Sequence, residues 1–232
     1  SRGLGDVYKR QDQKRLIINR LADQVFGKPK CVYYSEKLDV GYQPEIFDIE
    51  NGYLSGYWQC EKYFKEFRAE LLELFRFPRN QINEASRKMQ DQICREQAVA
   101  VHVRRGDYLL PENNRKYGNI CTLQYYRNAM QYMKEKVSDA RFYFFSNDPE
   151  WVRENLSEGD SVIVNCNHGK ENYLDMYLMS QCSHNIIANS SFSWWGAWLN
   201  RNPDKIIVSP KRWFSHLDVS DAVCEDWIRI NG

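Results

Sequence analysis

Ala98-Val99-Ala100-Val101-His102-Val103-Arg104-Arg105-Gly106-Asp107-Tyr108 decides how this chain is read. Val99, Val101 and Val103 alternate, so in an extended strand they share one face while His102 and Arg104 project from the other. The run is apolar until it closes on a histidine, two arginines and an aspartate. A guanidinium presents a fixed fork of donors that matches phosphate oxygens and keeps its charge near neutrality. A diphosphate is the ligand this pattern suggests. The competing reading is a strand end with solvated or salt-bridged arginines.

The same motif, an apolar run ended by a polar cluster, recurs downstream. Phe142 to Phe145 ends in Ser146-Asn147-Asp148, Val162 to Val164 in Asn165, Asn185 to Ala188 in Asn189-Ser190-Ser191, and Lys205 to Val208 in Ser209-Pro210. Helical patterns fall between most of them, over residues 123–137, 149–156, 173–182 and 192–200. Strands alternating with helices predict an α/β fold with a doubly wound parallel sheet. Ligands of such sheets sit outside the carboxyl ends of the strands, where these clusters fall.

Upstream the pattern is less regular. A helix is expected over 13–26, short strands over 31–34 and 52–58, and an amphipathic helix over 61–75, with 78–96 a polar, helix-prone connector. Residues 1–11 have no periodicity and read as a non-native tail. The domains expected are therefore the tail 1–11, a partial N-terminal domain with connector over 12–95, and a C-terminal Rossmann-like domain over 96–232.

Composition narrows the function. The chain has 232 residues, 43% of them hydrophobic, enough to build real cores. With 32 basic and 31 acidic side chains it lacks the field that attracts nucleic acid, so an anion must be bound locally. Seven widely spaced cysteines without a C-x-x-C pattern fit reduced thiols and a cytoplasmic location. No apolar run approaches the roughly 20 residues of a membrane span, which still leaves peripheral association with a membrane open. His168, His184 and His216 share no metal-ligand spacing, and no metal or cofactor is expected.

Candidate site residues follow from the strand ends. Arg104 is assigned to the diphosphate, and Arg105 to a structural ion pair with Asp107 as candidate partner. Asp107 is equally open to a catalytic role. His102 shares the face of Arg104 and suits a ribose or base. Asn189, Ser190 and Ser191 precede a helix whose unpaired N–H groups favour an anion, although Ser there also serves as a plain N-cap. Asp148 is an N-cap or a ribose or base acceptor, and Asp148 or Asp175 suits the paired N–H donors of a guanine edge. Trp194, Trp195 and Trp198 read as core.

These motifs in this order resemble the α-1,2-fucosyltransferases. The resemblance rests on His102-Val103-Arg104-Arg105-Gly106-Asp107-Tyr108, on Phe145-Ser146-Asn147-Asp148-Pro149-Glu150-Trp151, on Asp175-Met176-Tyr177-Leu178-Met179-Ser180, and on Asn189-Ser190-Ser191-Phe192-Ser193-Trp194-Trp195-Gly196-Ala197-Trp198-Leu199. Gly56-Tyr57-Trp58-Gln59 with Glu61-Lys62-Tyr63-Phe64 adds to it. It implies two Rossmann-like domains of the GT-B type and inverting, metal-independent transfer of L-fucose from GDP-β-L-fucose to the 2-hydroxyl of a galactose-terminated glycan. It also implies that Arg104, Ser190 and Ser191 hold the diphosphate while His102, Asp148 and Asp175 address the nucleoside. The sequence singles out no general base, and Asp107 is the candidate retained. The family's first-domain Gly-rich loop is matched only faintly by Gly3-Leu4-Gly5-Asp6, so the first domain is expected to be incomplete. Fucosyl transfer in another linkage, or nucleotide-sugar or glycan binding without catalysis, are the alternative readings.

Overall fold

The computed structural model describes residues 31–37, 39–217 and 220–232. The expected tail over 1–11, the faint Gly-rich match within it and the helix expected over 13–26 lie outside these residues. The described chain forms two compact units, one of residues 31–37 with Gln43–Trp58, the other of residues 39–42 with Gln59–Gly232. Residues 59–95, read above as part of the first domain and its connector, thus pack within the second unit.

In the first unit, strands β1 (Val32–Ser35) and β2 (Gly52–Ser55) pair in parallel. Tyr33 and Tyr53 stack across the pair with centroids 5.3 Å apart. The carboxylate of Glu36 accepts the N–H groups of Tyr57 at 2.6 Å and Trp58 at 3.1 Å, which folds the end of β2 back toward β1.

The second unit contains, in chain order, helices α1 (Arg68–Leu74) and α2 (Glu84–Ile93), strand β3 (Gln97–Val103), helices α3 (Pro111–Tyr117) and α4 (Leu123–Lys136), and strand β4 (Ala140–Ser146). Helix α5 (Pro149–Asn155), strand β5 (Val162–Val164), helix α6 (Tyr173–Gln181), strand β6 (His184–Ile186), helix α7 (Ser191–Trp198) and strands β7 (Ile207–Pro210) and β8 (Ile228–Ile230) follow. The sheet order is β5-β4-β3-β6-β7-β8, with every pair parallel. Counted from β3 the order is 3-2-1-4-5-6, so the winding reverses between β3 and β6 and a crevice opens at their carboxyl ends.

The alternation read from the sequence decides the two layers. Val99, Val101 and Val103 pack with Tyr125, Tyr126, Ala129 and Met133 of α4. Ala98 and Ala100 pack on the other side with Ile93 of α2 and Leu174 and Leu178 of α6. A strand covered on both faces is apolar through its middle, and the polar side chains gather at its carboxyl end, from His102 onward. Strand β8 was not anticipated, because its three residues include Arg229 and carry too little pattern to read.

The helix expected over 61–75 is shorter than predicted. Phe64 leaves helical geometry (φ −144°, ψ 10°), and only Arg68–Leu74 is α-helical. The break lets the Phe64 ring stack on Trp195 with centroids 5.7 Å apart and meet Trp198 edge-on at 5.5 Å. Aromatic burial overrides helical periodicity here. Trp194 and Trp198 are buried in a core cluster with Trp213 and Trp227, Trp194 Nε1 donates to the Ala222 carbonyl at 2.8 Å, and Arg68 lies 4.2 Å over the Trp198 ring.

Replacing Trp194 with Ala empties the centre of this cluster. Urea unfolding should show a loss of about 3–5 kcal/mol; a loss below about 1 kcal/mol would mean that the cluster does not carry the packing described.

Candidate active site

The polar groups released at the carboxyl end of β3 are sorted by a tight turn. Gly106 adopts a positive φ of 26°, and a Cβ there would fall 2.2 Å from Nδ2 of Asn147. Asn147 needs that approach, because its Oδ1 accepts the backbone N–H of Arg105 at 3.0 Å. The 3-10 turn Gly106–Leu109 then brings Asp107 back beneath Arg104, whose Nη2 lies 2.8 Å from Asp107 Oδ1.

The ion pairs therefore differ from the expected one. Asp107 pairs with Arg104, three residues earlier on the same turn, and Arg105 pairs with Asp148 at 3.1 Å while lying 4.1 Å over the Trp151 ring. The two arginines are thus separated: Arg104 lines a cavity and Arg105 does not. Arg104 faces a cavity of about 680 Å³, within the range of small-molecule sites. Arg105 is held away from it.

His102, Arg104, Asp107, Asp175, Ser190 and Ser191 all line this cavity. Asp148 and Asn189 do not. Asp148 caps α5, accepting the Trp151 N–H at 3.2 Å, and its other oxygen receives Arg105. Asn189 clamps the backbone: its amide donates to the carbonyls of Tyr117 and Trp213, each at 3.1 Å, and its Oδ1 accepts the Cys121 thiol. It supports the cavity from behind.

His102 is buried, its ring 5.7 Å from that of Phe192. Its Nδ1 is the unusual atom, buried without a hydrogen-bond partner among the described residues. Burial, with the charge of Arg104 added to it, lowers the imidazole from 6.5 to about 3. At neutral pH the ring is uncharged, suited to hydrogen bonding rather than to pairing with phosphate.

Across the crevice from β3, Ser190 stands at the N-cap of α7, but its hydroxyl makes no capping bond. Ser190 lines the cavity beside the positive end of an eight-residue helix. Asp175 comes from the first turn of α6. Asn167 donates to its Oδ1 at 2.8 Å, and Asn167 in turn accepts from Ser86 Oγ at 2.8 Å and Asn83 Nδ2 at 3.1 Å. Burial raises the Asp175 carboxyl while the Asn167 bond opposes that shift.

Sequence reasoning did not assign the cavity residues Tyr108, Asn147, Asn165, Asn167 and Phe192. Asn147 and Asn165 carried a signal, since both stand in strand-end clusters. Asn167 carried none, because its role comes from α2, more than eighty positions earlier in the chain for both partners. Glu61, Cys224 and Asp226 are a further group whose ligand atoms lie within 4.8 Å of one another, but none of them lines the cavity. Glu61 already receives Trp198 Nε1 and Arg68, and burial pushes the Cys224 thiol up, away from the thiolate a metal would need.

The depressed His102 makes folding pH-dependent. Below its ordinary value of 6.5 the unfolded chain takes up a proton that the folded chain refuses until about 3, so stability falls as the pH drops through that window. From about pH 7 to about pH 5 the protein should lose about 2 kcal/mol more than a His102→Gln variant in urea unfolding; equal losses would mean that His102 is not buried uncharged.

Residues 44–231 match glycosyl transferase family 11. An α-1,2-colitosyltransferase of Escherichia coli is 39% identical over 201 residues, covering 85% of this chain and 67% of that protein. The O-antigen biosynthesis glycosyltransferase WbnK of Escherichia coli is 33% identical over 187 residues, covering 78% of this chain and 62% of that protein. Galactoside α-(1,2)-fucosyltransferase 1 of Ateles belzebuth is 37% identical over 103 residues, covering 44% of this chain and 28% of that protein. The match thus spans about two thirds of the length of the two bacterial relatives. No helix among the described residues is long and apolar enough to cross a membrane. The strand-end arginine and histidine, the serines at the start of α7 and the tryptophan helix all lie inside the matched span, and the chain belongs to glycosyl transferase family 11.

Proposed function

We propose that the protein transfers L-fucose, with inversion, from GDP-β-L-fucose to the 2-hydroxyl of a terminal galactose on a glycan. The observation that carries this reading is the placement of Arg104, the uncharged His102 and Ser190 around one cavity, where the sheet reverses its winding. The family and the α-1,2 linkage in the names of the relatives support it.

In this reaction the acceptor oxygen attacks the anomeric carbon from the side opposite GDP. The new C–O bond forms as the bond to the β-phosphate oxygen breaks, and its electron pair leaves with GDP. Negative charge grows on the diphosphate, so the catalytic demand is for fixed donors there. Arg104, held in place by Asp107, and the first turn of α7 with Ser190 and Ser191 meet that demand. His102 and Asp175 hydrogen-bond the nucleoside, with Asn167 fixing the Asp175 carboxylate. The hydroxyl proton passes to a carboxylate; Asp107 and Asp175 are the carboxylates on the cavity wall among the described residues, and Asp107 is the candidate carried over from the sequence.

In this reading residues 96–232 are the donor-binding Rossmann-like domain of a GT-B enzyme. Residues 12–95 are its partial acceptor-side domain with connector, of which the connector side, 59–95, packs with the donor-binding domain. The colitosyl specificity of the relative that is 39% identical favours one alternative, a colitosyl donor at the same site.

A transfer assay with GDP-fucose and a β-galactoside acceptor tests the proposal. Arg104→Ala should lower kcat by about 100-fold or more without loss of the fold, Arg105→Ala should act mainly on stability, and a chelator should leave turnover unchanged. Near-normal turnover by Arg104→Ala, or donor binding by the parent protein with no transfer, would overturn the assignment.

A further inference from the structure

A second cavity, of about 450 Å³, is built from the end of α3 and the segments that follow β7 and β8. It lies at the same edge of the sheet as the first. Arg115 and Tyr117 stand two positions apart on α3 and so point to opposite sides of the helix. Tyr117 lines the first cavity and Arg115 the second, which makes α3 the wall between them. That wall is fixed: Ser215 donates its N–H to the Lys116 carbonyl at 2.8 Å and its hydroxyl to the Gly118 carbonyl at 2.7 Å, and Asn189 holds the Tyr117 carbonyl.

The side-chain charge of the second cavity has one sign. Arg115, Lys211 and Arg212 line it, and among the described residues no Asp or Glu side chain does. Lys116 stands beside Arg115 on the exposed end of the helix. Among the described residues none of these four cations pairs with a carboxylate, whereas Arg104, Arg105, Arg141 and Arg201 all do. In a chain of net charge +1 such a cluster is a local excess of positive charge that attracts an anion.

We propose that this second cavity binds an anionic group of the acceptor, a sugar carboxylate or a phosphate, carried beyond the reacting galactose. The inference rests on the glycosyl-transfer reading above. The donor diphosphate already has Arg104 and the start of α7. An acceptor whose hydroxyl enters the first cavity and whose remainder crosses α3 meets Arg115, Lys211 and Arg212 next. Asn114 and Asn119 supply neutral donors beside them.

The experiment compares three galactosides that differ only in the unit beyond the galactose: a neutral hexose, a hexuronate, and a hexose bearing a phosphodiester. The parent protein should favour at least one charged acceptor by about tenfold in kcat/KM, the scale of one charge-assisted hydrogen bond, and the preference should shrink as salt is raised. The charged acceptor that gains identifies the anion as carboxylate or phosphate. Arg115→Gln combined with Lys211→Gln, both exposed positions, should abolish the preference through KM while leaving KM for the donor and turnover of the neutral acceptor unchanged. Equal use of all three acceptors, or a preference that survives the double substitution, would overturn the proposal. Absence of transfer to any acceptor would overturn the glycosyl-transfer reading, and this inference with it.

Discussion

Strand β3 is buried on both faces, and the placement of the site follows from that constraint. Valines occupy one side and alanines the other, so no charged side chain can emerge before the strand ends. Its neighbour on one side, β4, continues the winding, whereas β6 on the other side begins the return half of the sheet. The gap between the two halves receives what both strands release. From β3 come His102 and Arg104, and from the segment after β6 come Ser190 and the start of α7.

The turn after β3 then separates two arginines adjacent in sequence. One keeps a carboxylate partner within the cavity wall, and the other is tied to Asp148 and Trp151 outside it. Gly106 is the hinge of this separation, because only a residue without a Cβ admits Asn147 so close. A partly exposed pair such as Arg104–Asp107 adds little to stability. Its consequence is geometric, since Asp107 holds the guanidinium in a fixed direction. His102 completes the contrast: beside a permanent cation, burial leaves it neutral, and its Nδ1 has no partner among the described residues.

Much of this was legible in the sequence because strand alternation is local. The apolar runs ending in Arg104, Asn147, Asn165 and Asn189 located the carboxyl edge of the sheet, and Trp194 and Trp198 are core as read. The readings that failed did so where a turn or a distant partner overrode the local pattern. Asp107 was offered to Arg105, but the 3-10 turn hands it to Arg104. A continuous helix over 61–75 was broken by the pull of the tryptophan cluster on Phe64. The Asn83–Ser86–Asn167–Asp175 chain joins α2, a loop and α6, and no spacing in the sequence announces it.

A crystal structure of the protein with GDP bound tests the central claim most directly. The account predicts the diphosphate within hydrogen-bonding distance of the Arg104 guanidinium and of the Ser190 and Ser191 groups at the start of α7, with His102 Nδ1 meeting the ligand. GDP seated elsewhere, with Arg104 still bound only to Asp107, would contradict it.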